Sequence, residues 1–350
     1  MYQTCRPSLF GAVTERIMSC SHSQCVEVDQ SRTRPSTSPA ESPIFLVGSE
    51  RSGTTLLRLM LDHHPQISFL SEFEFSVLHI GNDGRWPPIE TYHEFLRHDR
   101  VFGLTDLQID TQLPLPQLLS SFLDQKRCRD GKLCVGATVH HYFERLRYVW
   151  PDARYIYLLR DGRDVSRSII QMGWAGNMWT AADRWIMAEQ SWQQLGADVD
   201  ASQRIETRYE ALMAEPEAQL TRLCDFIGVT FDRAMFDYAA DSSYGLPDER
   251  FCEQWRRKLP DRQIRLAEAR IGPMLAQRGY PLSGLGPLTV SAAMERKLRK
   301  QDRWYRARNR MRRFGLTLFA AEWFARRMGL HRLRAHCQAR MDRITNARLR

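Results

Sequence analysis

Between Pro43 and Phe75 the chain passes from a short apolar run, through a turn of small residues, into an amphipathic stretch, and few folds accommodate that succession. Ile44 to Val47 are consecutive apolar residues, as a parallel strand buried on both faces requires, while Leu56, Leu57, Met60 and Leu61 recur at helical spacing. Between them lies Gly48-Ser49-Glu50-Arg51-Ser52-Gly53-Thr54-Thr55. The glycines permit unusual backbone angles and close approach of a ligand. The N–H groups of Ser52 to Thr55 then sit where a helix starts, and with the helix dipole they make a bed for an anion.

The spacing Gly-x4-Gly-x-Thr is that of a nucleotide-triphosphate loop, except that Thr54 stands where such a loop places lysine. A kinase or ATPase uses that lysine on the β and γ phosphates, so its loss argues against a triphosphate and against a P-loop nucleotide kinase. The positive charge has moved upstream, to Arg51. A cation beside a bed of N–H groups suits a 5′-phosphosulfate, whose anhydride needs charge stabilisation where its bridging oxygen leaves.

This stretch resembles the 5′-phosphosulfate loop of sulfotransferases that use 3′-phosphoadenosine 5′-phosphosulfate (PAPS). It is most similar to the group with an Arg-Ser-Gly-Thr-Thr-Leu loop, which includes bacterial carbohydrate and small-molecule enzymes and the tyrosylprotein sulfotransferases. The resemblance implies an α/β fold with a central parallel sheet flanked by helices, and a donor site holding Arg51, Ser52, Gly53, Thr54 and Thr55. It covers residues 43 to about 260.

Further along, Arg154 to Leu159 reads as a strand that ends at Arg160-Asp161-Gly162-Arg163-Asp164. Asp161 is placed to cap the next helix, so Arg160 sits where the carboxyl end of a strand meets a helix N-terminus, the edge at which open parallel sheets bind ligands. Ser168, eight residues on, lies about two turns into that helix, and both side chains are placed to converge on one phosphate. This spacing resembles the 3′-phosphate motif of the same family.

Glu72 lies 21 residues beyond Arg51. The resemblance implies that it takes the proton of the acceptor hydroxyl, with Glu74 as its rival. The family's Lys-Thr-Pro is absent: Ala137-Thr138-Val139-His140-His141 stands there, with Ala137 at the lysine position. Either His140 or His141 replaces that lysine as donor, or Arg51 carries the charge alone, or activity is weak, and a degenerate, non-catalytic sulfotransferase-like binding protein is the alternative reading. Tyr209, in Arg208-Tyr209-Glu210-Ala211-Leu212, looks like the tyrosine that packs by the adenine. Trp255-Arg256-Arg257-Lys258-Leu259 resembles the late basic segment over the 3′-phosphate, and Arg256 is the residue carried over.

The alternation of short strands and helices up to residue 230 argues for one parallel sheet covered on both faces. Expected strands are Gln66–Leu70, Lys132–Gly136, Arg154–Leu159 and Gln203–Thr207, and a helix is expected over His141–Tyr148. The irregular region 76–130, with its Trp, Tyr, His and Phe residues, suits a substrate-facing insertion with one or two helices in Leu107–Leu123. Residues 1 to 42, rich in Ser, Thr and Pro, are expected to be a disordered leader. The division is thus 1–42 leader, 43–285 sulfotransferase domain and 286–350 basic helical tail.

Charge separates the tail from the body. The whole chain carries +9; residues 291–350 hold 18 Lys/Arg against 4 Asp/Glu, a net of +14, which leaves 9 − 14 = −5 for residues 1–290. The tail is expected to be a helical appendage whose apolar stripe docks on the domain, pairs with a second copy or lies on an anionic membrane surface, and nucleic acid is not expected. Eight cysteines without a Cys-x2-Cys pair suggest neither zinc nor a disulfide framework, so reduced thiols in the cytoplasm are the expectation. The logic requires no metal. The acceptor, beyond bearing a hydroxyl or amine, is not legible.

Overall fold

The structure, a computed structural model, describes residues 42–349, so the expected leader lies outside the described residues except for Ser42. Five parallel strands form its centre: β1 (Ile44–Val47), β2 (Ile67–Glu72), β3 (Cys134–Val139), β4 (Arg154–Leu159) and β5 (Arg204–Arg208). They lie in the order β2-β3-β1-β4-β5. From the central β1 the chain moves first to the β2/β3 side and then to the β4/β5 side. The carboxyl end of β1 is therefore the topological switch point, where a crevice opens.

Alternation along the strands explains how the sheet is buried on both faces. Phe45 and Val47 of β1, with Tyr155, Tyr157 and Leu159 of β4, join one apolar cluster. Ile44, Leu46, Ile156 and Leu158 join the other. The second face is covered by α1 (Thr54–His63). On the first lie α2 (Ile89–His98), α3 (Leu115–Asp130), α4 (Gly162–Gln171) and α5 (Met178–Asp198). After β5 follow α6 (Tyr209–Ala214), α7 (Pro216–Ile227) and the short α8 (Tyr238–Asp241), all on the second face, then α9 (Gln254–Lys258) and α10 (Asp261–Gln277).

Three expectations are corrected. β3 starts and ends later than the sequence suggested, because Lys132 is drawn aside: its Nζ donates to the carbonyls of Asp62 and Ile67. The helix expected over His141–Tyr148 is a 3₁₀ segment over Phe143–Tyr148, entered through Tyr142 in the left-handed region at φ 55°. In the insertion, α2 was not foreseen, although Tyr92 and Leu96 recur at helical spacing and are buried.

The tail divides. Its first helix, α11 (Ala292–Phe314), docks on the body: Leu298 joins Met178, Trp179, Leu266 and Ala267, and Asn177 Nδ2 donates to the Leu298 carbonyl at 2.8 Å. Buried Asp302 accepts from Gly176 N–H at 2.8 Å and Thr180 Oγ1 at 3.0 Å. By contrast α12 (Leu316–Arg327) and α13 (His331–Leu349) pack on one another through Leu318, Cys337 and Met341. No helix among the described residues is long and apolar enough to cross a membrane.

Candidate active site

The loop after β1 is held in an unusual conformation by what lies against it. A Cβ on Gly48 (φ 148°) would sit 2.7 Å from the Leu158 carbonyl oxygen, and one on Gly53 (φ 102°) 2.4 Å from the Tyr209 ring. Both positions need glycine for space as well as for angle. Arg51 itself takes φ 70°, a strained choice for a residue with a side chain, of the kind that clusters at functional sites. Ser52 closes the turn, donating through N–H (3.2 Å) and Oγ (2.6 Å) to the Ser49 carbonyl. Its N–H is therefore not one of the free donors that the sequence suggested. The first-turn N–H groups of Thr54, Thr55 and Leu56 lack intrahelical acceptors by helix geometry, and all three residues line a cavity at this point.

That cavity, about 440 Å³, brings together residues far apart in the chain. Arg51, Gly53, Thr54, Thr55, Arg160, Ser168 and Tyr209, all singled out from sequence, line it. Arg51 Nε donates to Ser168 Oγ at 3.1 Å, and Arg160 donates to the Arg51 carbonyl at 3.2 Å and the Phe251 carbonyl at 2.8 Å. The Arg160 guanidinium also stacks on Tyr209, 3.9 Å from the ring centroid, so that ring supports a cation as well as packing on Gly53. Asp164 approaches Arg160 only to 3.9 Å. Its carboxylate instead accepts the N–H groups of Gln254 and Trp255, at 3.1 and 2.7 Å. Burial raises its pKa, and the nearby Arg160 charge opposes that shift.

Arg167, Gln171, Gln254 and Lys258 also line the cavity, and the sequence reading assigned none of them. Arg167 donates to Gln254, as does Lys258 at 3.0 Å. The Nε atoms of Arg160 and Arg167 are buried with no hydrogen-bond acceptor among the described residues. Arg256, by contrast, faces away: it pairs with Glu253 at 3.0 Å and stacks on Trp255. The correction has a simple cause. In α9 positions 254 and 258 share a face by i, i+4 spacing, which puts Lys258 and not Arg256 on the cavity.

On the other side of the loop the expected acid and histidines spread apart. Glu72 ends β2 with its side chain 53% exposed, 4.0 Å from Arg100. Glu74 is turned inward and accepts the His140 N–H at 3.0 Å. Burial pushes its pKa up, the nearby His140 pulls it down, and the Glu72 charge raises it further. Ala137 is fully buried in the core, two residues short of the strand end, so a side chain there faces apolar packing and not the crevice. The residue that leaves the strand is His140. Its Nδ1 lies 3.0 Å from the Gly48 carbonyl, and since a carbonyl only accepts, Nδ1 carries the proton and Nε2 is left for other partners.

His141 does something different. With Arg184 it clamps Glu50, the residue before Arg51: His141 Nε2 is 3.2 Å from Glu50 Oε1, which also takes the Arg184 guanidinium. Burial works against the Glu50 charge, but the hydrogen bond and charge of His141, with Arg184, outweigh it and hold the carboxyl at about 2. Burial likewise works against a charged His141, and Glu50 outweighs it, raising the imidazole. His140, His141, Tyr142, Met187, Gln190 and Gln194 line a second cavity of about 270 Å³. Among the described residues no group of three or more His, Cys, Asp or Glu is arranged to hold a metal.

Residues 43–233 match the sequence profile described as the sulfotransferase family. Protein-tyrosine sulfotransferase 2 of Gallus gallus is 24% identical over 294 residues, covering 76% of this chain and 76% of its own. Protein-tyrosine sulfotransferase A of Caenorhabditis elegans is 25% identical over 205 residues, covering 54% of this chain; the chain spans 50% of that relative's length. Among solved structures, the sulfotransferase domain of the Synechococcus PCC 7002 olefin synthase aligns with 71% of this chain and 98% of its own, at 22% identity and a TM-score of 0.48.

Proposed function

The chain belongs to the sulfotransferase family, and we propose that it moves a sulfuryl group from PAPS to a hydroxyl or amine acceptor. The observation that carries this reading is the junction of Arg51, Ser168 and Arg160 in one cavity, with two buried guanidinium N–H groups lacking an acceptor. A doubly anionic ligand fits such a place. When bound, PAPS supplies the sulfuryl group and a 3′,5′-bisphosphate leaving group. On this reading Arg160 and Ser168, with Arg167 and Lys258 beside them, hold the 3′-phosphate. Arg51 and the N–H groups of Gly53, Thr54 and Thr55 hold the 5′ end, where negative charge develops on the leaving oxygen.

We assign the acceptor to the side of the second cavity, which His140 lines, with Glu72 outside both cavities at the end of β2. As the acceptor oxygen bonds to sulfur and the sulfur–oxygen bond to the leaving phosphate breaks, the hydroxyl proton passes to Glu72. Glu72 suits this because it is half-exposed at the strand end, whereas the Glu74 carboxylate is engaged by the His140 N–H. His140 offers a hydrogen bond or partial charge where the family keeps lysine. The charge stabilisation needed comes from these side chains, without a metal. The relatives' names make a tyrosine hydroxyl in a protein the first acceptor to test. The reduced, cytoplasmic setting belongs to the same proposal and rests on the cysteine spacing.

Two measurements test it. The bisphosphate should raise thermal stability where ATP with Mg²⁺ does not, since only a ligand that binds the native state stabilises it. Glu72→Gln should lower turnover by about 10² to 10⁴ while leaving bisphosphate affinity within a few-fold. Near-normal turnover in Glu72→Gln, with collapse in Glu74→Gln, would move the base to Glu74.

A further inference from the structure

The last two helices carry two apolar faces, and only one is covered. α12 turns Leu318 and Ala325 inward, toward Cys337 and Met341 of α13. On its opposite side Leu316, Trp323, Phe324 and Met328 recur at helical spacing and remain 68, 47, 49 and 60% exposed. Leu330 and Leu333 continue the patch onto the start of α13, at 44 and 40% exposed. A run of large apolar side chains in water is more than scattered surface residues and marks a surface that meets something.

Charge selects what it meets. Arg326, Arg327, Arg332 and Arg334 flank the row and are exposed, and the Arg327 guanidinium lies 5.8 Å from the Trp323 ring centroid. The tail's four acids do little to offset them: Glu295, Asp302 and Glu322 are paired with Arg299 at 2.7 Å, Arg306 at 2.7 Å and Arg310 at 3.5 Å, and Asp342, on α13, accepts from Gln338 Nε2 at 3.0 Å. A second copy of the chain would bring two hairpins face to face, each holding 8 Arg against 2 Asp/Glu over residues 316–350, a net of +6, which repels. An apolar row of Trp, Phe and Leu rimmed by arginines matches instead the boundary between the headgroups and acyl chains of an anionic bilayer.

We propose that the α12–α13 hairpin lies on an anionic lipid surface, with Leu316, Trp323, Phe324 and Met328 at the acyl boundary and the flanking arginines on headgroup phosphates. The body would then be carried on the surface by α11, which is docked to it. This inference does not depend on sulfuryl transfer.

Sedimentation of the full chain with phosphatidylcholine vesicles, with and without phosphatidylserine, tests it. Binding should be at least about tenfold tighter with phosphatidylserine and should weaken as salt is raised. The double variant Trp323→Ser plus Phe324→Ser should lose about tenfold in vesicle binding. Both side chains are exposed, so a thermal melt of the variant that matches the parent's serves as the check on folding. Vesicle binding unchanged in the double variant would overturn the proposal, because charge alone would then carry it. So would equal or absent binding to both vesicles. A dimer seen by sedimentation velocity and dissociated by the two substitutions would assign the face to a second copy, and polyglutamate binding that exceeds vesicle binding would assign it to an acidic protein.

Discussion

Arg51, Arg160, Arg167 and Lys258 line a cleft in a body whose formal charge over residues 1–290 is 9 − 14 = −5, whereas the tail concentrates +14. The two basic regions differ in what their cations touch. In the cleft the arginines are held by neutral acceptors: a serine hydroxyl, two backbone carbonyls and a glutamine amide. Asp164, whose carboxylate accepts two backbone N–H groups, stands 3.9 Å from both Arg160 and Arg167 and offsets one of the four charges. The cleft thus keeps a surplus of positive charge, in a partly desolvated place where it counts for more. In the last two helices the arginines around α12 stand in water beside bare apolar side chains, where screening weakens each one. Placement, not the number of charges, separates a binding site from a basic surface. Arg163 makes the same point from inside: fully buried and paired with Asp161 and Glu268, it holds structure together.

The hardest test of this contrast is Arg160→Ala. Losing one cleft cation should cost on the order of 2 to 5 kcal/mol in binding the 3′,5′-bisphosphate, with little change for a nucleotide lacking the 3′-phosphate. Equal losses for both nucleotides, measured by calorimetry, would make Arg160 a structural residue like Arg163.

Glu50→Gln probes how the loop under the cleft is held. Removing the acid from between His141 and Arg184 should destabilise the protein by about 2 to 4 kcal/mol near neutral pH. The pH dependence has a definite sign. The Glu50 carboxyl titrates at about 2 in the folded chain against an ordinary 4.5, so its contribution is complete above 4.5 and is lost as pH falls toward 2. His141 is raised above its ordinary 6.5, so its contribution is complete below 6.5 and is lost as pH rises through the raised value. Thermal melts across pH should show both flanks in the parent chain and flatten in Glu50→Gln. Unchanged flanks would mean the clamp does not form.

A finer comparison within α9 sets Lys258→Ala against Arg256→Ala. The first should weaken bisphosphate binding by about 1 kcal/mol and the second should leave it unaltered, because only Lys258 faces the cavity. The reverse pattern would restore the residue expected from sequence.

The smallest effect is expected from the tail itself. A chain ending after Phe314 should bind the bisphosphate within about twofold of the full chain, since it keeps every residue that lines the cavity and the arginines around α12 that it loses are exposed, where salt screens them. A chain ending near Gly286, which the sequence division would permit, should instead melt lower. It lacks Leu298 and Asp302, which the body buries. If both shortened chains behave alike, the docking of α11 contributes nothing.

The central strand, the glycine turn and the helix after it were legible because each is written in adjacent residues. So were Arg160 and Ser168, whose convergence depends only on a strand end and two helical turns. Four apolar residues in a row and two glycines mark a parallel strand and a turn of phosphate-loop spacing, and a threonine stands where a triphosphate loop has lysine. Local steric and hydrogen-bonding preferences act over a few residues and leave such marks. Other features had no local mark. Glu50 meets Arg184 from 134 positions away, and Arg167 meets Gln254 from 87. The placement of Lys258 on the cavity and of Arg256 off it follows from where Asp164 anchors the start of α9. Those pairings were decided by the strand order β2-β3-β1-β4-β5 and by helices folding back over it, because only closing the sheet brings such distant side chains within the few ångströms over which charge and hydrogen bonding select a partner.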